Sequence, residues 1–174
     1  MRDMRVGFAL CGSFCTFEKA FAAIEELAAA GARLTPIMSY FAANTDTRFG
    51  RAAEVRARLE NICGRGVIRT IEGAEPIGPK RLLDLMIVAP CTGNTLAKLA
   101  NGIADTPVTM AVKSHLRNGG PVLIAVSTND ALGAAARNIG ELMARKNIYF
   151  VPMRQDAPFE KPSSVVADFS RLAA

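Results

Sequence analysis

Residues Leu85 to Ala89 read Leu-Met-Ile-Val-Ala, apolar without alternation. A strand apolar on both sides belongs inside a sheet that is covered on both faces, which is the setting of a parallel sheet under helices. Pro90 follows; with no N–H to donate, it is expected to stop the ladder. Cys91, Thr92, Gly93, Asn94 and Thr95 then make a small polar turn. Leu96, Leu99, Ala100 and Ile103 recur at helical spacing, so a helix should start here, with Gly102 near its end. Strand, small polar turn and helix N-terminus together form an anion site, because free N–H groups and the positive dipole end aim at one spot. An ordinary βα turn capped by Thr92 or Asn94 would use the same residues, so the spacing leaves both readings open.

The rest of the chain repeats the unit. Met1 to Gly7 is strand-like, and Met4 to Leu10 forms a first strand ending in Cys11-Gly12-Ser13. Phe17, Ala20, Phe21, Ile24, Leu27 and Ala28 then mark an amphipathic helix, with Thr16 as its expected N-cap and Gly31 as its stop. Leu34 to Met38 is a second strand, and Ser39 to Gly50 a long loop carrying Arg48. Ala52, Val55, Leu59 and Ile62 mark a helix ending at Gly64. Val67 to Ile71 reads as a short strand, Pro76 to Lys80 as a turn, and Arg81 to Leu83 as a helical turn. Beyond the central unit, Val108 to Leu116 reads as a helix with Pro107 in its first turn, and Val122 to Val126 as a buried strand. Ser127-Thr128-Asn129-Asp130 is a second polar turn. Ala134 to Lys146 is an expected helix with Ile139, Leu142 and Met143 inward; Ile148 to Val151 is a strand, and Ser163 to Leu172 a helix.

Alternating strands and helices predict a doubly wound parallel α/β sheet of about six strands, in one domain spanning 1–174. Its ligand site should lie outside the C-terminal strand ends, where the strand order reverses. Gly12-Ser13 and the Cys91–Thr95 turn would meet there, with Ser39, Ser127 and Thr128 on the same edge. Gly12 would let a phosphate approach the backbone, and Ser13 would offer it a hydroxyl. The pattern GxGxxG is absent, so a mononucleotide fits better than NAD.

Composition narrows the partners. The net charge of +5 is carried by scattered basic residues, and two Tyr without Trp supply few stacking platforms, so nucleic acid is not expected. An anionic small ligand or an acidic partner accounts for the charge equally well. No apolar run approaches the length of a membrane span, and no basic-then-apolar leader opens the chain. The four cysteines lack CxxC spacing, which points to a reduced, cytoplasmic protein with no metal site. Cys91, at a helix N-terminus, would have a lowered thiol pKa. The single histidine, His115, sits late in its helix, where an imidazolium is favourable.

The stretch from Pro90 to Asp105 resembles the Pro-Ala-Ser-Ala-Asn-Thr motif of the FMN-binding cysteine-decarboxylase-like flavoproteins and its continuation. Gly12-Ser13, Pro36-Ile-Met-Ser39 and Gln155-Asp-Ala-Pro-Phe-Glu-Lys-Pro162 extend the match over most of the chain. The resemblance implies a Rossmann-like fold and FMN held near a subunit interface by Gly12, Ser13, Ser39, Pro90, Cys91, Thr92, Gly93, Thr95, Ser127 and Thr128. It also implies a homo-oligomer built from trimers. The combination is most similar to a branch that acts with a second, NAD(P)-binding subunit. That pair oxidises a dihydropyridine dicarboxylate of the lysine pathway in the mother cell of a sporulating bacterium. The resemblance implies that Asn94, which matches a substrate-contacting asparagine, and Asn129 serve the chemistry. Arg48 and Lys161 are candidates for holding carboxylates, because arginine can grip a carboxylate with two hydrogen bonds. The family's decarboxylases carry a histidine after the second strand and a Pro-x-Met-Asn motif after the fifth. Here Ser39 to Ile62 has no histidine, and the second place reads Val126-Ser-Thr-Asn-Asp130. The alternatives are a stand-alone decarboxylase and a non-catalytic, flavin-binding assembly protein.

Overall fold

The computed structural model describes residues 2–173. Met1, which opens the stretch Met1 to Gly7 read as strand-like, lies outside the described residues. Five parallel strands, β1 (Arg5–Leu10), β2 (Arg33–Met38), β3 (Leu85–Cys91), β4 (Val122–Thr128) and β5 (Ile148–Phe150), make most of a seven-stranded sheet. The order β2-β1-β3-β4 places β1 and β3 side by side at the point where the winding reverses. β5 pairs with Val122–Ile124 of β4. The end of β4, Ser127 and Thr128, pairs instead with the antiparallel β7 (Val165–Ala167), which in turn pairs with β6 (Met153–Gln155).

The helices are α1 (Phe17–Ala29), α2 (Tyr40–Asn44), α3 (Ala52–Cys63), α4 (Ile71–Ala74), α5 (Gly93–Ala100), α6 (Pro107–Leu116) and α7 (Ala136–Met143). β3 is buried on both faces: Met86, Val88 and Cys91 belong to one apolar cluster, Ile87 and Ala89 to the other. Burial of Ile87 and Val88 contributes about 1.5–3 kcal/mol each. On α1, Phe17, Ala20, Phe21, Ile24 and Leu27 face the second cluster. α6 begins with a capping box between Thr106 and Thr109 and with Pro107 at its first position.

Several expectations are corrected. Pro90 does not end its strand. β3 continues to Cys91 through a cis Ala89–Pro90 peptide, and the missing N–H falls where the ladder to β4 shifts register. The segment 67–71 forms only an Ile68–Ile37 bridge, because the Thr70 side chain caps α4 and turns the chain into a helix. A 3₁₀ turn at Glu75–Ile77 replaces the helical turn expected at Arg81–Leu83. The loop after β2 contains α2, capped by Ser39 Oγ on the N–H of Ala42 at 3.2 Å. Thr16 holds the N-cap position of α1 as expected, but its side chain makes no cap; the hydroxyl donates to the Ser13 carbonyl at 2.8 Å instead. α5 stops at Ala100, leaving Ile103 exposed, and on the shortened α7 Met143 points outward. The C-terminal segment is not a helix: its β-branched Val165 and Val166 form β7, followed by a 3₁₀ turn at Phe169–Arg171. No helix among the described residues is long and apolar enough to cross a membrane.

Candidate functional site

The C-terminal ends of β1, β3 and β4 come together as the topology requires. The N–H of Cys11 donates to the carbonyl of Pro90 at 3.2 Å, joining the first turn to the end of β3. A Cβ built on Gly12 would stand 3.3 Å from Cγ2 of Thr92, so the two turns touch. Ser13 takes a left-handed conformation, φ 69°, which costs a non-glycine residue about 1 kcal/mol or more. Local bonds hold it there: its hydroxyl lies 2.6 Å from that of Ser127, and its carbonyl accepts from the N–H and hydroxyl of Thr16.

Thr92 caps α5, its hydroxyl accepting from the N–H of Thr95 at 3.4 Å. Asn94 makes no such cap. The Thr128 hydroxyl donates to Asp130 at 2.5 Å. A Cβ on Gly93 would meet that carboxylate at 2.8 Å, so glycine is what lets α5 start against the turn after β4.

Two cavities open on this edge and share Ser13, Thr92 and Asn94 as a wall. The larger, about 1010 Å³, also takes Gly93, Ser127, Thr128 and Asn129 of the expected residues. The smaller, about 490 Å³, takes Gly12, Ser39 and Thr95, with Tyr40 and Phe41 at its side. Pro90 and Cys91 line neither cavity and are buried beneath the turn. Arg48 lines neither; it is exposed on the turn before α3, its guanidinium 4.8 Å from the centre of the Phe49 ring. Burial pushes the Cys91 thiol well up and that of Cys11 to about 11, so the lowered pKa expected at the helix N-terminus is not found.

Sequence reading misses Cys15, Lys19, Asp130, Asp156, Ser163 and Ser164, which line the larger cavity, and Lys98 and Thr106, which line the smaller. The tail residues arrive because β7 pairs with the end of β4, a non-local pairing without a local signal. Lys161, in the quoted tail motif, does line the larger cavity.

His115 lies away from both cavities. It is buried, its Nε2 lies 3.1 Å from the Pro121 carbonyl, and desolvation lowers its pKa. Burial therefore disfavours the imidazolium expected from its helix position, while an N–H at Nε2 is placed to donate to that carbonyl.

Paired hydroxyls, open backbone around two glycines and the N-terminus of α5 present hydrogen-bonding groups to the two cavities on this edge. Residues 1–166 match the family described as Flavoprotein. The chain belongs to the flavoprotein family. This flavoprotein is 47% identical over 172 residues to the B subunit of dipicolinate synthase from Bacillus subtilis strain 168, covering 99% of this chain and 86% of that one. It superposes on the crystal structure of the dipicolinate synthase B subunit from Bacillus halodurans with a TM-score of 0.88 at 44% identity, covering 98% of this chain and 88% of that one. The FMN-dependent cysteine decarboxylase SpaF shares the fold with a TM-score of 0.68 at 22% identity, covering 98% of each chain.

Proposed function

We propose that this flavoprotein is the B subunit of a dipicolinate synthase. In this reading it acts with the NAD(P)-binding A subunit to oxidise dihydrodipicolinate to dipicolinate in the mother-cell cytoplasm of a sporulating bacterium. The observation that carries the reading is the 47% identity to a protein of that name across 99% of the chain.

The residues present fit FMN. The two adjoining cavities exceed the size a mononucleotide needs, and their common wall is built of the Ser13 and Thr92 hydroxyls and the start of α5. Gly12, Ser13, Thr92, Gly93 and Thr95 would take the phosphate, with Ser39, Ser127 and Thr128 completing the polar lining and Pro90 and Cys91 forming the buried floor. FMN, when bound, supplies an acceptor for an electron pair. The chain's own part is to hold the dihydro ring in the larger cavity, oriented by the amides of Asn94 and Asn129, and to keep bulk water from it. The substrate gives up a hydride and a proton; the hydride equivalent ends on the nicotinamide carried by the NAD(P)-binding partner.

The stand-alone decarboxylase reading is disfavoured by the absence of histidine from Ser39 to Ile62 and by Val126-Ser-Thr-Asn-Asp130 in place of Pro-x-Met-Asn. The flavoprotein is proposed to assemble as a trimer-based homo-oligomer, so a monomer by light scattering at micromolar concentration would contradict that part. The function is tested by mixing the purified chain with its NAD(P)-binding partner, the dihydro-dicarboxylate and NADP. Dipicolinate formation that needs both proteins is expected. An unaltered rate when this chain is left out would overturn the reading.

A further inference from the structure

The charged residues lining the larger cavity are two acids, Asp130 and Asp156, and two lysines, Lys19 and Lys161. The acids are already served by the wall. Asp130 accepts from the Thr128 hydroxyl, and a hydrogen bond from the side chain of Ser164 is the main cause holding Asp156 below its usual carboxylate range. The lysines are differently placed. On α1, Glu18 and Glu25 both bind Arg58, at 2.9 and 3.2 Å, and Lys19 has no carboxylate within ion-pair distance among the described residues. Lys161 has only a loose contact, 3.9 Å to Asp156.

The backbone that carries Lys161 is fixed. Its N–H donates to Ala157 O at 2.7 Å and its carbonyl accepts from Ser164 N at 2.9 Å. The next two residues are tied as well: Gln155 Nε2 donates to Pro162 O at 2.7 Å, and Leu132 N to Ser163 O at 3.0 Å. A lysine on a braced loop and a lysine on a helix thus line one cavity, and neither is well paired, so both ammonium groups are available to an anion there.

We propose that Lys19 and Lys161 bind the carboxylates of a small cyclic dicarboxylate in the larger cavity. Lys161 would keep the part expected of it, and Lys19 would take that expected of Arg48, which lines neither cavity. The identity of the ligand rests on the functional reading above; the placement of the pair rests on the cavity. Two carboxylates brought into a partly desolvated cavity need cationic partners, and ammonium groups supply point charges without a fixed fork geometry. The pair would select dianions over neutral rings of the same size.

The test is calorimetric titration of the FMN-loaded complex of both proteins with dipicolinate, using Lys19→Gln, Lys161→Gln, both together, and Lys19→Arg. Each glutamine variant should bind about tenfold more weakly, the size of a partly screened charge-assisted hydrogen bond, while Lys19→Arg stays near wild type. Added salt should weaken the wild type and leave the double variant nearly unaffected, which a merely structural role would not produce. FMN affinity should not change. Wild-type binding with glutamine variants within twofold of it overturns this inference alone. A loss of FMN affinity in place of dipicolinate affinity also overturns it, by assigning the pair to the phosphate. If the wild-type complex binds no dipicolinate, the functional reading falls and this inference with it.

Discussion

The hydroxyl oxygens of Ser13 and Ser127 lie 2.6 Å apart, although β3 separates their strands in the sheet. The bond links residues 114 apart in sequence and ties the first turn to the end of β4. It also explains how a non-glycine residue is kept at φ 69°. Ser13→Gly and Ser13→Ala both remove the hydroxyl, but only glycine relieves the backbone. Ser13→Ala should therefore be less stable than Ser13→Gly by about 1 kcal/mol in denaturant unfolding. Equal midpoints would mean that the conformation is not held against a cost.

At Gly12 the constraint is space. A Cβ there would be 3.3 Å from Thr92 and 3.6 Å from the Phe41 ring, and a larger side chain would enter the smaller cavity. Gly12→Leu should weaken FMN binding by about fivefold or more, as overpacking by 1–3 kcal/mol implies, while the circular dichroism of the fold is retained. Flavin fluorescence during titration reads the affinity. An unchanged dissociation constant would remove Gly12 from the site.

His115 gives a pH dependence. Its folded-state pKa is lowered from 6.5 by burial, so the unfolded chain binds the proton more readily than the native one. That contribution to stability is complete above 6.5 and is lost as the pH falls from 6.5 towards the lowered value. Thermal melting across that window should show a falling Tm for the wild type and a flatter profile for His115→Gln, whose amide can still donate to Pro121. Parallel profiles would contradict the buried neutral imidazole.

Thiol labelling separates the cysteines. Burial pushes Cys11 to about 11 and Cys91 well above its ordinary range, and both are fully enclosed. Cys15 is exposed and lines the larger cavity. Iodoacetamide at about pH 8, below the ordinary thiol pKa, should label Cys15 while Cys11 and Cys91 remain unmodified in the folded protein. Bound FMN should slow labelling of Cys15. Mass spectrometry of tryptic peptides distinguishes these outcomes, and modification of Cys91 ahead of Cys15 would contradict the burial.

The parts of the fold legible in sequence are those with a local cause. The apolar run of β3, the periodic faces of α1 and α3, the glycine stop at Gly64 and the Thr92 cap all act within a turn or two of the chain. Their strand ends converge as the winding of a parallel sheet dictates, which is why Gly12, Ser13, Thr92 and Ser127 can be placed together from sequence. Strand β7 reads as helix because Val165 and Val166 are paired by β4 and β6, neighbours that no local pattern announces. The same pairing brings Lys161 and Ser164 to the cavity. Lys19 escapes notice because a charge on a helix face reads as solvated. Arg48 attracts it because a long loop on the ligand edge reads as mobile, whereas α2 and the Ser39 cap take up much of that length.

Equilibrium titration of the flavin-free chain with FMN, followed by quenching of flavin fluorescence, tests the central claim most directly. A site built by Gly12, Ser13 and the Cys91–Thr95 turn predicts saturation at one FMN per chain. The expected dissociation constant is on the order of micromolar or tighter, the range in which about 8 kcal/mol of binding free energy is recovered. Unquenched fluorescence through a large excess of protein would contradict it.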